Sequence, residues 1–320
     1  MINVVIFSAG PDTGNQGYAI KRAFDRYQAD FSVRSICTFD GYFHYSSDLS
    51  NETARTQTLM EAADIIHLRN SFGGYKRFNK TGRPVGLVIH HHGTKFRNEH
   101  AALAAASREF GATQIASTID LVLLEPDVVW LPAPFDLDAL ALLRSHEQCS
   151  LCSPLLGSPH TVRIAHAPTS RELKSTNLIM AAVQKLSDKG LPVVFDLIER
   201  RSYQECLERK AKADILVDQL HLGYGNNAIE AWAMGIPVVA GVDNDRVREG
   251  MVSMYGSLPF YEANEANLAE RLEELIVDAR TRVDWGNKGL RYVQTYHDER
   301  IVAGQLAAIY RASFAAGRVD

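Results

Sequence analysis

The chain has 320 residues, a formal net charge of −4, 46% hydrophobic residues and 22% charged residues, the balance of a folded globular protein with length for two domains. That excludes a small disulfide-stapled module, a disordered or fibrous chain, and a protein drawn to nucleic acid or an anionic membrane by a global positive field. The opening MINVVIFSAG has no basic n-region and no small-residue cleavage site, and no run reaches the roughly 18 apolar residues of a membrane span, so a cytoplasmic protein without a transmembrane segment is expected.

Strand and helix signals then alternate, the pattern of βαβ units and parallel sheets. Residues 3–7 predict a strand, followed by a loop with Gly10, Asp12, Gly14, Asn15 and Gly17 and a helix over 18–27. Strands are predicted at 33–37, 64–68 and 84–90, helices at 52–62 and 101–110, and short strands at 121–124 and 129–131 leading into Pro132 and Pro134. Residues 137–159 read as irregular, and 146–160 as a linker. A second alternating block predicts strands at 161–165, 193–198, 215–217 and 237–240, with helices at 175–189, 203–213 and 227–234. The remainder, including 265–279 and 299–315, is helical by period. The expectation is an α/β fold of two doubly wound Rossmann-like domains, 1–145 and 161–320, closed by C-terminal helices, the last a candidate to cross back to the first domain.

Four cysteines are too few for a disulfide framework. Cys149 and Cys152, near His146 and His160, can be drawn as a zinc site, but without a second regular half-site they read as reduced thiols, and no metal is expected there.

Open α/β sheets take ligands beyond the carboxyl ends of their strands, so four loops carry the candidate chemistry. In the first, Gly14, Asn15, Gln16 and Gly17 precede a helix start and suit close approach of an acceptor or a phosphate. It matches neither the dinucleotide nor the P-loop fingerprint. In the second, His90-His91-His92 follows an apolar strand. Side chains alternate along an extended chain, so the three cannot readily ligate one metal, and His92, before Gly93, is the one expected to face a ligand. In the third, Arg171 and Lys174 precede a helix start rich in Ser and Thr and suit a diphosphate. In the fourth, Gly223, Tyr224, Gly225, Asn226 and Asn227 open a helix whose N–H groups can bind phosphate, with Glu230 one turn in for a ribose diol.

The segment Glu230-Ala-Trp-Ala-Met-Gly235-Ile-Pro237-Val-Val, after its glycine-rich turn, resembles the nucleotide-sugar signature of GT-B glycosyltransferases, especially retaining family 4. The segment from His166 to Lys174 is similar to that family's diphosphate loop, Pro132-Ala-Pro134-Phe135-Asp136 to its interdomain hinge, and the Gly14 loop and His92-Gly93 to its acceptor loop and HG-type motif. Eight positions before Glu230, where the family carries a second carboxylate, stands Leu222. The resemblance implies a nucleotide-diphospho-sugar donor, UDP- or GDP-linked, in the second domain and an acceptor on the first, with reaction in the cleft between them. It also implies transfer that retains configuration without a cofactor or metal. Lys174 and Arg171 would neutralise the leaving diphosphate, Glu230 would hold the ribose, and His92 would meet the sugar or acceptor. The acceptor could be a glycan, lipid-linked saccharide, protein or modified nucleobase. Lys76, Arg77, Lys80 and Arg83, near Tyr75 and Phe78, raise a peripheral membrane contact, though a solvated loop explains them. A nucleotide-sugar epimerase or hydrolase, and a nucleotide-sugar-binding protein that has lost turnover, are the competing readings.

Overall fold

The computed structural model describes residues 1–10, 12–38, 43–50, 53–73, 75, 84–151 and 161–317. The chain divides into two compact units, Met1–Pro134 together with Asp298–Asp320, and Phe135–His297.

The first unit runs β1 (Ile2–Ser8), α1 (Gln16–Tyr27), β2 (Phe31–Cys37), β3 (Leu49–Ser50), α2 (Thr53–Ala62), β4 (Ile65–Arg69), β5 (Gly86–His91), α3 (Gly93–Glu109), β6 (Thr113–Ala116), α4 (Ile119–Val122) and β7 (Val128–Trp130). The seven strands are parallel in the order β3-β2-β1-β4-β5-β6-β7, so the winding reverses between β1 and β4. The two-residue period of β1 shows why both faces are covered. Val4 and Ile6 join a core with Ile20 and Phe24 of α1, and Val5 and Phe7 join another with Met60 of α2. The C-terminal helix, Glu299–Ala316, belongs to this unit. It packs Leu306 and Tyr310 into the α1 core, and its Glu299 takes both Arg22 and Arg26.

One expectation fails here, and one strand is additional to those expected. The run at 121–124 is not a strand but lies in and just after the one-turn helix α4, because a short apolar run fits either element. The strand of this region is Thr113–Ala116, whose inward Gln114 hides its apolar character.

The second unit begins with α5 (Leu137–Leu151), which runs through much of the stretch read as irregular. Its run Leu137-Asp-Ala-Leu140-Ala-Leu-Leu is made of good helix formers, and Arg144 donates to the carbonyls of Ala211 and Ala213, tying the helix to this unit rather than the first. The division at 134/135 therefore precedes the expected 145. Cys152, His160 and the side chain of Cys149 lie outside the described residues, as do Lys76, Arg77, Phe78, Lys80 and Arg83.

There follow β8 (Val162–His166), α6 (Thr176–Asp188), β9 (Val193–Leu197), α7 (Tyr203–Ala211), β10 (Ile215–Val217), β11 (Leu222–Gly223), α8 (Asn226–Ala233), β12 (Val238–Val242), α9 (Asp245–Tyr255), β13 (Tyr261–Glu262), α10 (Leu268–Val277) and α11 (Ala279–Tyr296). Strands β9, β8, β10, β12 and β13 are parallel neighbours in that order, and β11 adds antiparallel to β12. The winding here reverses between β8 and β10. Val162, Ile164, Ile215 and Val217 pack with Ile179 and Val183 of α6 and Leu272 and Leu275 of α10. Among the described residues no helix is long and apolar enough to cross a membrane.

Candidate functional site

The loops after β8 and β10 leave the sheet at its reversal point, where strand ends diverge and open a crevice. His166, last residue of β8, is fully buried. Its Nδ1 lies 2.8 Å from the Val217 carbonyl and its Nε2 2.9 Å from Thr176 Oγ1 at the start of α6. Burial lowers its pKa, and this neutral imidazole fixes the ends of the loop that carries Lys174. That loop is wound by backbone bonds from Lys174 N–H to Ser170, Ser175 N–H to Glu172 and Thr176 N–H to Arg171, and closes through Ser175 in a left-handed conformation (φ +54°).

Lys174 Nζ donates to Asp218 Oδ1 at 2.6 Å, and the other oxygen of Asp218 accepts the Gly225 N–H at 2.6 Å. One fully buried carboxylate thus joins the ammonium to the residue that caps α8. Glycine suits this knot, and at Gly223 the positive φ calls for it. A Cβ on Gly225 would lie 3.3 Å from Lys174 Nζ, and Gly223, at φ +82°, would place one 2.5 Å from Met251 Cε. Lys174 keeps two further ammonium protons beside the first-turn N–H groups of α8, an arrangement suited to an anion.

Glu230 lies one turn into α8 and is 4% exposed, its Oε2 paired with Lys210 of α7, itself 1% exposed. Lys210 also donates to Asn227 Oδ1, and Asn227 Nδ2 donates to the Ala167 carbonyl at 2.7 Å. Burial opposes the Lys210 charge, but the neighbouring Glu230 carboxylate and Cys206 raise its pKa overall, so the ammonium is kept. Nothing in the charged run around Lys210 marks it as internal, and the sequence gives no sign of this pair.

Two expected donor residues are placed elsewhere. Arg171 turns from Lys174 to the carboxylate of Glu199, with Nε 2.7 Å from Oε1, because that loop end offers a bidentate partner. The bond to Arg171 lowers the pKa of Glu199. Tyr224 is buried, its hydroxyl bonded to that of Tyr292 and its ring edge-on to Trp232 and Tyr292. Its aromatic ring serves the core. Asn226 and Asn227 open α8 as expected.

In the first unit, Asp12 accepts the N–H groups of Gly17 (2.9 Å) and Tyr18 (2.8 Å), so the donors read as a phosphate cradle are already used. Gly14 and Asn15 take positive φ in the turn before α1, and Gln16 is buried there. Asp12 also pairs with Arg69, the last residue of β4, whose guanidinium is 5% exposed and whose Nε donates to His92 Nε2 at 3.2 Å. The signal for Arg69 was a charge ending the buried run Ile65-Ile-His67-Leu, a position only pairing or ligand binding makes tolerable.

Alternation sets His91 apart from His90 and His92, whose ring centroids lie 4.0 Å apart. His90 Nε2 meets Ser117 Oγ at 2.8 Å, and His91 meets Gln114 at 3.0 Å and stacks on Phe96. His92 caps α3, and its N–H donates to Asn70 Oδ1 at 2.6 Å. Burial, then Arg69, holds the His92 pKa well below the ordinary imidazole range. Accepting on Nε2 leaves its proton on Nδ1, so His92 is a neutral hydrogen-bond donor. Among the described residues no group of His, Cys, Asp and Glu could hold a metal.

No protein-family model matches the chain, and no curated protein matches it in sequence. Solved structures do match in fold. Anabaena HepE in complex with UDP-glucose superposes with a TM-score of 0.68 at 15% identity, over 98% of this chain and 100% of that one. An alpha-glucosyltransferase in complex with UDP and a 13-mer DNA containing an HMU base gives 0.67 at 12%, over 97% and 99%. Sucrose-phosphate synthase from Thermosynechococcus elongatus gives 0.67 at 13%, over 99% and 100%. The fold is GT-B: two Rossmann-like parallel-sheet units and a helical C-terminus.

Proposed function

We propose that this chain is a glycosyltransferase that moves a sugar from a nucleotide-diphospho-sugar to an acceptor, with retention of configuration and without a metal. The observation that carries the reading is the knot of Lys174, Asp218 and the capped start of α8 at the winding reversal of the second sheet. The fold shared with proteins solved with UDP or UDP-glucose supports it.

In this reading the donor diphosphate lies against Lys174 and the first turn of α8. Asp218 aims the ammonium but is itself too buried to meet the sugar. As the glycosidic bond to the diphosphate breaks, charge grows on the departing oxygens, and a preplaced ammonium and helix N–H groups stabilise it without reorganisation. Glu230, with Oε2 held by Lys210, offers Oε1 to the ribose diol. Leu222 cannot replace the missing carboxylate, so the sugar hydroxyls are met by the backbone around Gly223. Arg171 steadies its loop through Glu199, and His92 serves the acceptor as a neutral donor rather than a base.

The test is titration with UDP, GDP, ADP and CMP followed by thermal unfolding, since a ligand of the native state raises its stability. One nucleoside diphosphate should stabilise the wild type and lose most of that effect in Lys174→Ala. Stabilisation by none would overturn the reading. Incubation with the matching donor then separates the classes: acceptor-dependent release of nucleotide is transfer, acceptor-independent release is hydrolysis, conversion to an isomeric nucleotide-sugar is epimerisation, and an unchanged donor marks a binding protein. Proton NMR of the product reads the anomeric outcome, and turnover in EDTA reads the metal.

A further inference from the structure

We infer that the first unit holds an anion subsite at its own winding reversal and that the acceptor carries a phosphate group which docks there. The inference rests on the transferase reading and names the chemistry of its acceptor. Between the ends of β1 and β4 lies a cavity of about 200 Å³ lined by Ser8, Ala9, Gly10, Arg69, Asn70, Ser71 and Lys95, the position where an open parallel sheet takes ligands. Its size suits a phosphate and a few attached carbons.

The charge of the lining is one-sided. Arg69 and Lys95 bring the positive groups, and no carboxylate is among the described lining residues. The carboxylate of Asp12 is engaged with Arg69, Gly17 and Tyr18. The pair holds Arg69 in place, and His92, accepting from its Nε, fixes the plane of the guanidinium. Lys95 stands in the first turn of α3, exposed and without an ion-pair partner among the described residues. Hydroxyls of Ser8 and Ser71 complete a set of donors for oxygen. Asn70, in a left-handed conformation (φ +54°), spans the floor, its N–H on the His90 carbonyl at 3.0 Å and its Oδ1 on the His92 N–H. A neutral sugar hydroxyl needs neither a cation nor a fixed guanidinium. A phosphate uses both: Asp12 balances the Arg69 charge while His92 helps to fix its plane, and Lys95 supplies the unbalanced positive charge.

The test uses the whole chain saturated with UDP, and in parallel the Lys174→Ala background, so that phosphate cannot be scored at the donor loop. Inorganic phosphate and hexose 6-phosphates are titrated by calorimetry into wild type, Lys95→Glu and Lys95→Arg. Phosphate should bind the wild type and Lys95→Arg, and weaken roughly tenfold or more in Lys95→Glu, where an attractive charge becomes repulsive. Undetectable binding, or equal binding to Lys95→Glu, overturns the inference while UDP binding leaves the transferase reading standing. Lys95-dependent phosphate binding without UDP binding supports the subsite and overturns the donor reading. Tight binding of duplex DNA but not of small phosphates overturns the small phosphorylated acceptor.

Discussion

Each unit places a basic residue at the reversal of its sheet, yet the two are built differently. In the second unit Lys174 comes from a loop and meets Asp218 and Gly225 across two neighbouring crossings. In the first, Arg69 ends a buried strand and is locked by Asp12 and His92 from two other strand ends. A lysine on a loop keeps protons and reach for a ligand that comes and goes. A buried arginine locked by two such neighbours is preorganised and cannot follow one. The same topology thus yields an adaptable cation in one unit and a rigid one in the other.

The largest effect that sharpens this contrast is expected at the buried pair behind the donor loop. Lys210→Ala strands the Glu230 carboxylate and should cost about 3–5 kcal/mol in urea unfolding, whereas the apolar double variant Lys210→Met/Glu230→Leu recovers most of it. Next, Lys174→Ala should lower turnover by about 10²–10³-fold, or about 2.7–4 kcal/mol of transition-state stabilisation, with the fold intact by circular dichroism. Equal turnover would end the asymmetry, because the adaptable cation would then do nothing.

The rigid unit should reveal itself by pH. Burial drives His67 down to about 3 and His91 to about 4, below the ordinary value of about 6.5. Unfolding frees these imidazoles to take protons, so the unfolded state binds more protons below that ordinary value and stability falls with pH. Each contributes about 1.4 kcal/mol per pH unit from roughly 6.5 down toward its folded pKa. The urea midpoint should therefore drop steeply between those limits, and His91→Gln should remove one proton from the slope. The smallest effect belongs to Arg171→Ala, which breaks an exposed, solvent-screened pair with Glu199 and should leave the urea midpoint nearly unchanged. Its turnover should stay within a few-fold of wild type, and a loss matching that of Lys174→Ala would return Arg171 to the diphosphate.

Much of this was legible beforehand where one contiguous segment carries the information. The alternation of apolar runs with helical periods gave the two doubly wound sheets, and the segment from Gly223 to Pro237 marked the start of α8, because a glycine turn, a helix and a buried strand are local decisions of the backbone. Local reading failed where an apolar run was too short to choose its element, as at 121–124, or where good helix formers ran on between turn residues, as in α5.

Side-chain partners were decided only by the tertiary structure. Arg171 and Lys174 are three residues apart in sequence, yet one goes to Glu199 and the other to Asp218. Glu230 looks like an open carboxylate until Lys210 is found beneath it, and Asp12, Arg69 and His92 are scattered over three strand ends. Residue order specifies which groups are carried and the period specifies which face they take. Which charge meets which depends on where sheet winding brings distant strand ends together, and on burial leaving an ion no alternative to its nearest partner.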